Sequence, residues 1–458
     1  MTCRAANIAL VASGKTLTYQ EMVLEAHHIA ERVVPRSVVL FVASNTEESL
    51  LAYVGFIRHG VVPLMVNEGM DSATCSELLN AYQPEYLWCP HDYPYRGTTA
   101  WNYGNYRLWK TGHESKTALY DDLALLLSTS GSTGSQKYVR LSYDNLTSNA
   151  EAIASYLAIK ESNRAITTLP FSYSYGLSII NSHLISGASL VLTEKTLFDR
   201  EFWDLVRNHE VTTFGGVPYT YSMLKRLRFE RMDLPSLRYL TQAGGGLSKE
   251  LQVEFAEICR AKGMDFIVMY GQTEGTARLS YLPPEYAQTK LGSVGHAIPG
   301  GRLFLLDTSG AEIHEAHTAG ELLYEGENVS LGYAQGRADL ARGDDNNGRL
   351  QTGDIACFDE DGFFNIVGRQ KRFIKMFGNR VNLDELESLL RAEGTVAACS
   401  GADDALCVYV EKGDLAQIQT FVAEKTGLYK RAFTVQSIQE IPRNEAGKIL
   451  YSELDNHA

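Results

Sequence analysis

The run VVLFVASNTEESLLAYVGFIRHGVVPLMV, residues 38–66, decides the fold class. Val38 to Ala43 is apolar and rich in β-branched residues, Asn45 and Glu48 open a helix, Gly60 can stop it, and Val61 to Val66 is apolar again. Strand, helix and strand in that order predict parallel strands joined by a helical crossover. The rhythm recurs from a strand at Leu123 through a helix after Ser142, and from Ala188–Thr193 onward to Phe266–Tyr270. The expected body is a large α/β unit. From about Gly292 to Val367 short apolar runs alternate with Gly, Asp and Asn turns, which predicts a barrel-like β region. Beyond Gly368 a strand at Phe373–Phe377, a helix capped near Asn382 and ended by Gly394, strands at Val396–Ser400 and Ala405–Val410, a helix from Asp414 and a strand around Phe433–Ile438 predict a small α+β domain. The expected division is 1–370 and 371–458.

The chain has 458 residues, 45% hydrophobic and 21% charged, which fits a globular protein of about two to four compact units. No apolar run approaches the ~18 residues that span a bilayer. Arg4 followed by Ala5 to Ala12 imitates a secretory signal, but the stretch is short, and Thr18 with Glu21 opens a helix by a capping-box pattern. Seven cysteines, at 3, 75, 89, 259, 357, 399 and 407, include no CxxC pair. That set fits reduced, buried thiols and a cytoplasmic location better than a disulfide framework or a zinc site. A net charge of −13 argues against a nucleic-acid partner.

The stretch LALLLSTSGSTGSQK, residues 123–137, runs from a buried strand into a glycine and hydroxyl loop that ends in Lys137. Glycines let the backbone approach an anion, Ser and Thr supply donors, and the lysine adds a point charge, so the loop suits phosphate. It is not a Walker loop, because Gln136 and Tyr138 flank the lysine. Four other clusters have chemical uses. YGQTE (270–274) ends a strand with a hydroxyl and a carboxylate, where open α/β sheets place ligands. QAGGGL (242–247) ends another with three glycines that can lie against a flat ring; TGD (352–354) offers a carboxylate to a sugar diol; GRQK (368–371) puts Arg369 beside the expected boundary. Taken singly, these also read as a helix cap, a close-packed turn, an Asp-stabilised turn and a solvated charge run. Together they describe an ATP site.

In order and spacing, TSGSTGSQK, QAGGGL, YGQTE, GEL (320–322), TGD, GRQKRFIK (368–375) and PRNEAGK (442–448) resemble the adenylate-forming superfamily of acyl- and aryl-CoA synthetases, peptide-synthetase adenylation domains and luciferases. The resemblance runs from about Thr16 to Leu450. It implies two doubly wound sheets with a β region in the large domain and a mobile small domain. It also implies two half-reactions: a carboxylate attacks the α-phosphorus of MgATP to give an acyl-adenylate and pyrophosphate, then a thiol displaces AMP to give a thioester. By that resemblance Thr129, Ser130, Gly131, Ser132, Thr133, Gly134 and Lys137 clasp the β- and γ-phosphates, and Thr273 meets the α-phosphate. Glu274 holds Mg²⁺. Gly244, Gly245, Gly246 and Tyr270 sandwich the adenine, while Asp354 and Arg369 fix the ribose. Lys448 is the adenylation lysine, Lys371 the hinge, and Phe377 and Gly378 line the pantetheine tunnel. The family pattern is altered at Gln136, Tyr138 and Tyr451.

The segment LPFSYSYGL (169–177) resembles the family's pocket wall, with Tyr173 at the acyl gate and Val217, Tyr219 and Met269 in matching positions. No acidic residue lies between Ala165 and Ile180, so a substrate ammonium has no counter-charge there and an α-amino acid is disfavoured. An apolar or aryl carboxylate is expected. No carrier domain is fused to the matched region, which leaves CoA or a separate carrier protein as acceptor. A loading enzyme for a carrier and a catalytically silent nucleotide-binding relative are the alternatives.

Overall fold

The computed structural model describes residues 5–12, 14–95, 97–114, 117–128, 137–376, 379–402, 404–443 and 449–454. Val38–Ala43 and Val62–Asn67 are parallel neighbours in register, Val38 opposite Val62, joined by the helix Glu47–Arg58. Both strands are buried almost throughout, as strands covered on two faces must be. They sit in an eight-stranded sheet ordered Tyr333–Ala334, Tyr138–Ser142, Leu123–Ser128, Val62–Asn67, Val38–Ala43, Tyr86–Pro90, Tyr106–Lys110, Thr98–Tyr103.

A second sheet has thirteen strands. One half is parallel, with Thr213–Gly216, Tyr239–Gln242 and Asp265–Tyr270 side by side. Ile8–Ala12, the stretch that imitates a signal, is a strand of this sheet, parallel to Ser189–Leu192, with Ala9 and Leu10 fully buried. The helix Tyr19–Ala30 follows with the expected capping box between Thr18 and Glu21. Helices Tyr19–Ala30, Glu47–Arg58 and Ser174–Ile185 contribute to one apolar core shared by both sheets. Packing within it is close: a Cβ on Gly55 would lie 2.2 Å from the Ala26 carbonyl oxygen, so only glycine fits where the first two helices cross.

The barrel-like expectation for 292–367 needs correction. Ser280–Leu282 pairs antiparallel with Asp265–Tyr270, then Ser293–Ala297, Phe364–Arg369, Arg349–Phe358, Gly320–Glu325 and Arg302–Leu306 follow, and the run stays open. The antiparallel strands extend the parallel sheet because Ser280–Leu282 meets the free edge of Asp265–Tyr270. A separate closed barrel would leave that edge unpaired.

A single 3₁₀ turn, Gln370–Arg372, leads from Phe364–Arg369 to the hairpin of Phe373–Met376 and Asn379–Asn382. The C-terminal segment then forms a three-stranded sheet, Ala397–Ala402, Ala405–Val410 and Phe433–Ser437, under the helices Leu383–Ala392 and Leu415–Thr426. Leu386, Leu390, Val408 and Val422 fill its own core. Arg372 ties the turn to this unit: it bonds Asp384 at 2.8 Å, pairs with Glu387, donates to the Cys399 carbonyl, and lies 3.9 Å over the Tyr451 ring. Tyr451, a departure from the family pattern, thus stacks on the arginine of the GRQKR run and donates to Glu387 at 2.9 Å.

Candidate active site

The site gathers where strands of the larger sheet end. Asp265–Tyr270 delivers Tyr270, whose hydroxyl donates to Asp354. Gln272 Nε2 donates to Tyr270 Oη at 3.1 Å and to the Thr352 carbonyl at 3.0 Å, tying YGQTE to TGD. Asp354 faces Arg369 in the antiparallel register, and Arg369 Nε stands 3.6 Å from its Oδ1. Burial pushes the Asp354 carboxyl above its ordinary value, while the Tyr270 bond and the Arg369 charge pull it back. These residues, expected at adenine and ribose, therefore form one hydrogen-bonded group.

Gly244 follows the strand Tyr239–Gln242 with φ +83°. A Cβ there would lie 2.7 Å from Tyr173 Oη and 3.0 Å from Val217 Cγ1, whereas space beside Gly246 is open. A backbone this close to two pocket residues has to be glycine. The cradle thus suits a flat ring on one side and abuts the acyl wall on the other.

Thr273–Gly275 make a 3₁₀ turn directly after Gln272. Thr273 Oγ1 lies 3.2 Å from Ser174 Oγ, which joins the turn to the first residue of the helix Ser174–Ile185. Glu274 accepts a 2.8 Å bond from Tyr333 Oη, and Lys137 Nζ sits 3.9 Å over the Tyr333 ring. Two expected phosphate and metal residues, separated by 137 positions, thereby share one aromatic partner. No group of three metal-ligating side chains occurs among the described residues. One carboxylate suits Mg²⁺ in a nucleotide site, since that ion takes one or two carboxylates and fills its shell with phosphate oxygens and water.

The expected acyl wall is aromatic. Tyr173, Tyr175, Val217 and Met269 share one cluster with Tyr156 and Tyr281, whose rings stack at 4.2 Å. Tyr156 Oη donates to Met269 Sδ at 3.0 Å. Burial raises the hydroxyls of Tyr156 and Tyr173 to about 12, so both stay neutral donors at physiological pH. Tyr219, at the start of the helix Pro218–Arg226, is 55% exposed and does not pack in that cluster. Its helical phase turns it outward while Tyr221 takes the buried face.

Sequence reasoning missed Gln272, Tyr333, Tyr156, Tyr281 and Arg278. Tyr156 and Tyr281 come from distant elements with nothing local to mark them. Arg278 follows YGQTE by four residues, with nothing local to show what surrounds it. Thr129, Ser130, Gly131, Ser132, Thr133, Gly134, Phe377, Gly378 and Lys448 lie outside the described residues, and Lys371 is described by its backbone alone.

The residues expected at the nucleotide abut those expected at the acyl group, an arrangement that suits an ATP-dependent, AMP-forming acid–thiol ligase, which makes an acyl-adenylate and passes it to a thiol. The chain belongs to the AMP-binding enzyme family, whose model matches residues 2–334. It is 31% identical over 359 residues to the 2-succinylbenzoate–CoA ligase of Geobacillus kaustophilus, covering 74% of this chain and 70% of that one. The corresponding ligase of Bacillus velezensis is 27% identical over 98% of this chain and 94% of its own length. The fold matches that of Bacillus subtilis O-succinylbenzoate coenzyme A synthetase in complex with AMP, with a TM-score of 0.80, 23% identity, and 99% and 96% of the two chains covered. An anthranilate CoA ligase in complex with anthranoyl-AMP matches with a TM-score of 0.78 at 21% identity, covering 100% of this chain and 95% of that one. No helix among the described residues is long and apolar enough to cross a membrane.

Proposed function

We propose that the chain activates an aryl carboxylic acid with ATP and transfers the acyl group to CoA in the cytoplasm, with 2-succinylbenzoate, the acid in its relatives' names, as the first substrate to test. One observation carries the reading. The nucleotide turn and the acyl wall touch at two points, Thr273 on Ser174 and Gly244 beneath Tyr173, so a carboxylate on the wall lies next to the α-phosphate position. The six described cysteines are free thiols, in keeping with a reducing compartment.

In this reading Tyr270 and Gly244–Gly246 enclose the adenine, and Asp354 with Arg369 orients the ribose. Asp354 is held by Tyr270 and Gln272 before any ligand arrives, which spares ordering entropy on binding. Thr273 donates to the α-phosphate, while Lys137 and the loop 129–134 neutralise the outer phosphates. Glu274 would hold Mg²⁺, which spreads the charge that shifts toward pyrophosphate. Such fixed donors and charges lower the barrier because they are aimed before the charge develops. Lys448, brought by the 371–458 domain turning about Lys371, bridges the attacking carboxylate and the nucleotide. Phe377 and Gly378 then line the route of the pantetheine thiol.

ATP–pyrophosphate exchange with a panel of fatty, aryl, hydroxy and amino acids tests the first half, and thioester formation with CoA against purified carrier proteins tests the second. Aryl acids should support exchange and CoA should accept the acyl group. Exchange confined to amino acids, or transfer to carriers alone, contradicts the proposal. Lys448→Ala should lower exchange by about 100-fold or more, the loss expected for one transition-state charge, yet leave thioester formation from supplied acyl-AMP intact. Unchanged exchange would remove Lys448 from this role.

A further inference from the structure

Arg278 is 2% exposed, and it stands in the acyl wall. Its guanidinium lies 3.9 Å over the Tyr175 ring, and its Nε donates to Met269 Sδ at 3.4 Å. Its charge is felt by the hydroxyls of Tyr156, Tyr173 and Tyr175. These are the residues that bound the acyl site. A thioether sulfur is a weak acceptor and a ring face takes no N–H in the guanidinium plane, so beyond a hydrogen bond to the Tyr156 hydroxyl the fork meets no strong acceptor among the described residues. Among the described residues no carboxylate lies within 4.0 Å of this arginine, although ten other arginines have one. An unpaired buried guanidinium is costly, and the cost is recovered only when an anion arrives.

The backbone that carries it is held in place. Thr276 and Ala277 both take positive φ, +56° and +115°, which non-glycine residues adopt only under constraint. The constraint is visible: Thr276 Oγ1 donates to the Asn328 carbonyl at 2.6 Å, and the Arg278 carbonyl accepts from Asn149 and Asn328, each at 3.0 Å. Tyr324 Oη fixes Asn328 in turn at 2.8 Å. Strain supported by a dedicated network aims the arginine into the wall; a surface charge needs no such support.

We infer that Arg278 is a specificity residue that pairs with a second acidic group of the substrate, remote from the carboxylate being activated, so that the preferred acid is an aromatic dicarboxylate. This rests on the aryl-acid reading above. The activated carboxylate belongs beside Thr273, and the aromatic body lies among the tyrosines. The second carboxylate then meets Arg278 by the two parallel N–H donors that a planar guanidinium offers. A monoacid leaves the guanidinium unpaired and is rejected by that cost.

The test compares 2-succinylbenzoate with 4-oxo-4-phenylbutanoate, the same acid without its ring carboxylate, on the full chain. Native protein should favour the diacid by about 100-fold or more in kcat/KM, the loss typical of truncating one side of a buried ion pair. In Arg278→Met that ratio should collapse toward one, and in Arg278→Lys it should fall about tenfold, because charge is kept without the fork. A native ratio near one, or equal losses for both acids in Arg278→Met, overturns the assignment. Calorimetric binding of the diacid to native and Arg278→Met protein gives a readout independent of turnover: weaker binding in the variant supports the pairing and equal binding overturns it. Absence of exchange with every acid, in protein that still binds ATP, would count against the underlying ligase reading and leave this binding result to decide Arg278.

Discussion

Arg140 and Arg278 are both withdrawn from water, yet their surroundings differ in kind. Arg140, in the strand Tyr138–Ser142, donates to Asp345 at 2.6 Å and to the carbonyls of Tyr333, Leu331, Arg342 and Gly343. Every side of its fork is answered, and it staples the segment 331–345 to the smaller sheet. Arg278 has a thioether, an aromatic face and one tyrosine hydroxyl, and no carboxylate among the described residues. A guanidinium whose partners are all in the chain is structural; one left with soft neighbours in a pocket waits for something else. Arg372, paired with Asp384 and Glu387, belongs with Arg140.

The contrast breaks first on stability. Arg140→Met should cost about 3–5 kcal/mol in chemical denaturation, because it leaves the carbonyls of Leu331, Tyr333, Arg342 and Gly343 without their donor and takes one of two arginines from Asp345. Arg278→Met should change stability by less than about 1 kcal/mol, since it removes an uncompensated charge and keeps the apolar stem. Similar losses in the two variants would mean that Arg278 is a strut as well.

His183 shows the other outcome for a buried ionisable group without a charge partner, which is to stay neutral. Its Nδ1 bonds the Ile179 carbonyl at 2.8 Å, its Nε2 has no partner among the described residues, and burial lowers its pKa to about 4. Above the ordinary value near 6.5 neither state binds the proton. As pH falls from there toward 4 the unfolded chain takes it up and the folded one does not, so stability drops by about 3 kcal/mol in all. Denaturation midpoints for His183→Leu should lose that part of the slope between pH 6.5 and 4. A slope identical to native would show that the ring takes its proton in the fold.

Smaller effects sharpen the account of the wall and its neighbour. Gly244→Ala forces a Cβ onto Tyr173 at a left-handed φ, a strain of about 1–3 kcal/mol. The expected result is a fall of about 10- to 100-fold in kcat/KM with little change in overall stability. An active Gly244→Ala enzyme would separate the cradle from the wall. Tyr333 links the two arginine regions, since its carbonyl accepts from Arg140 while its hydroxyl holds Glu274. Tyr333→Phe should raise the Mg²⁺ needed for half-maximal exchange by about tenfold, as for loss of a group that orients a metal ligand. Unchanged Mg²⁺ titrations would detach Glu274 from the metal.

The parallel halves of both sheets were legible because burial on two faces writes a strand as a continuous apolar run. Val38–Ala43 and Val62–Asn67 fall within a residue of their expected bounds. Capping chemistry located the helix after Thr18, since side chain and backbone there satisfy each other locally, and the strand–helix rhythm located the one after Ser142. The β region was legible as strands but not as topology. Whether Ser280–Leu282 closes a barrel or joins the edge of Asp265–Tyr270 depends on a partner far along the chain. The residues expected at the nucleotide stood out because each lies in a short motif, and the structure groups Tyr270 with Asp354 and Arg369. The exposure of Tyr219 was not legible, because spacing alone does not give helical phase at a first turn. Arg278 stayed hidden because its meaning lies in what does not surround it, and the acids near a buried arginine can come from anywhere in the sequence.

The central claim, that cradle and wall form one continuous site for a nucleotide joined to an aryl acid, is tested most directly by calorimetric titration with a sulfamate-linked, non-reactive analogue of the 2-succinylbenzoyl adenylate. The account predicts that it binds at least about 100-fold more tightly than AMP or the free acid, as analogues of a reaction intermediate do. An analogue that binds no better than AMP would contradict it.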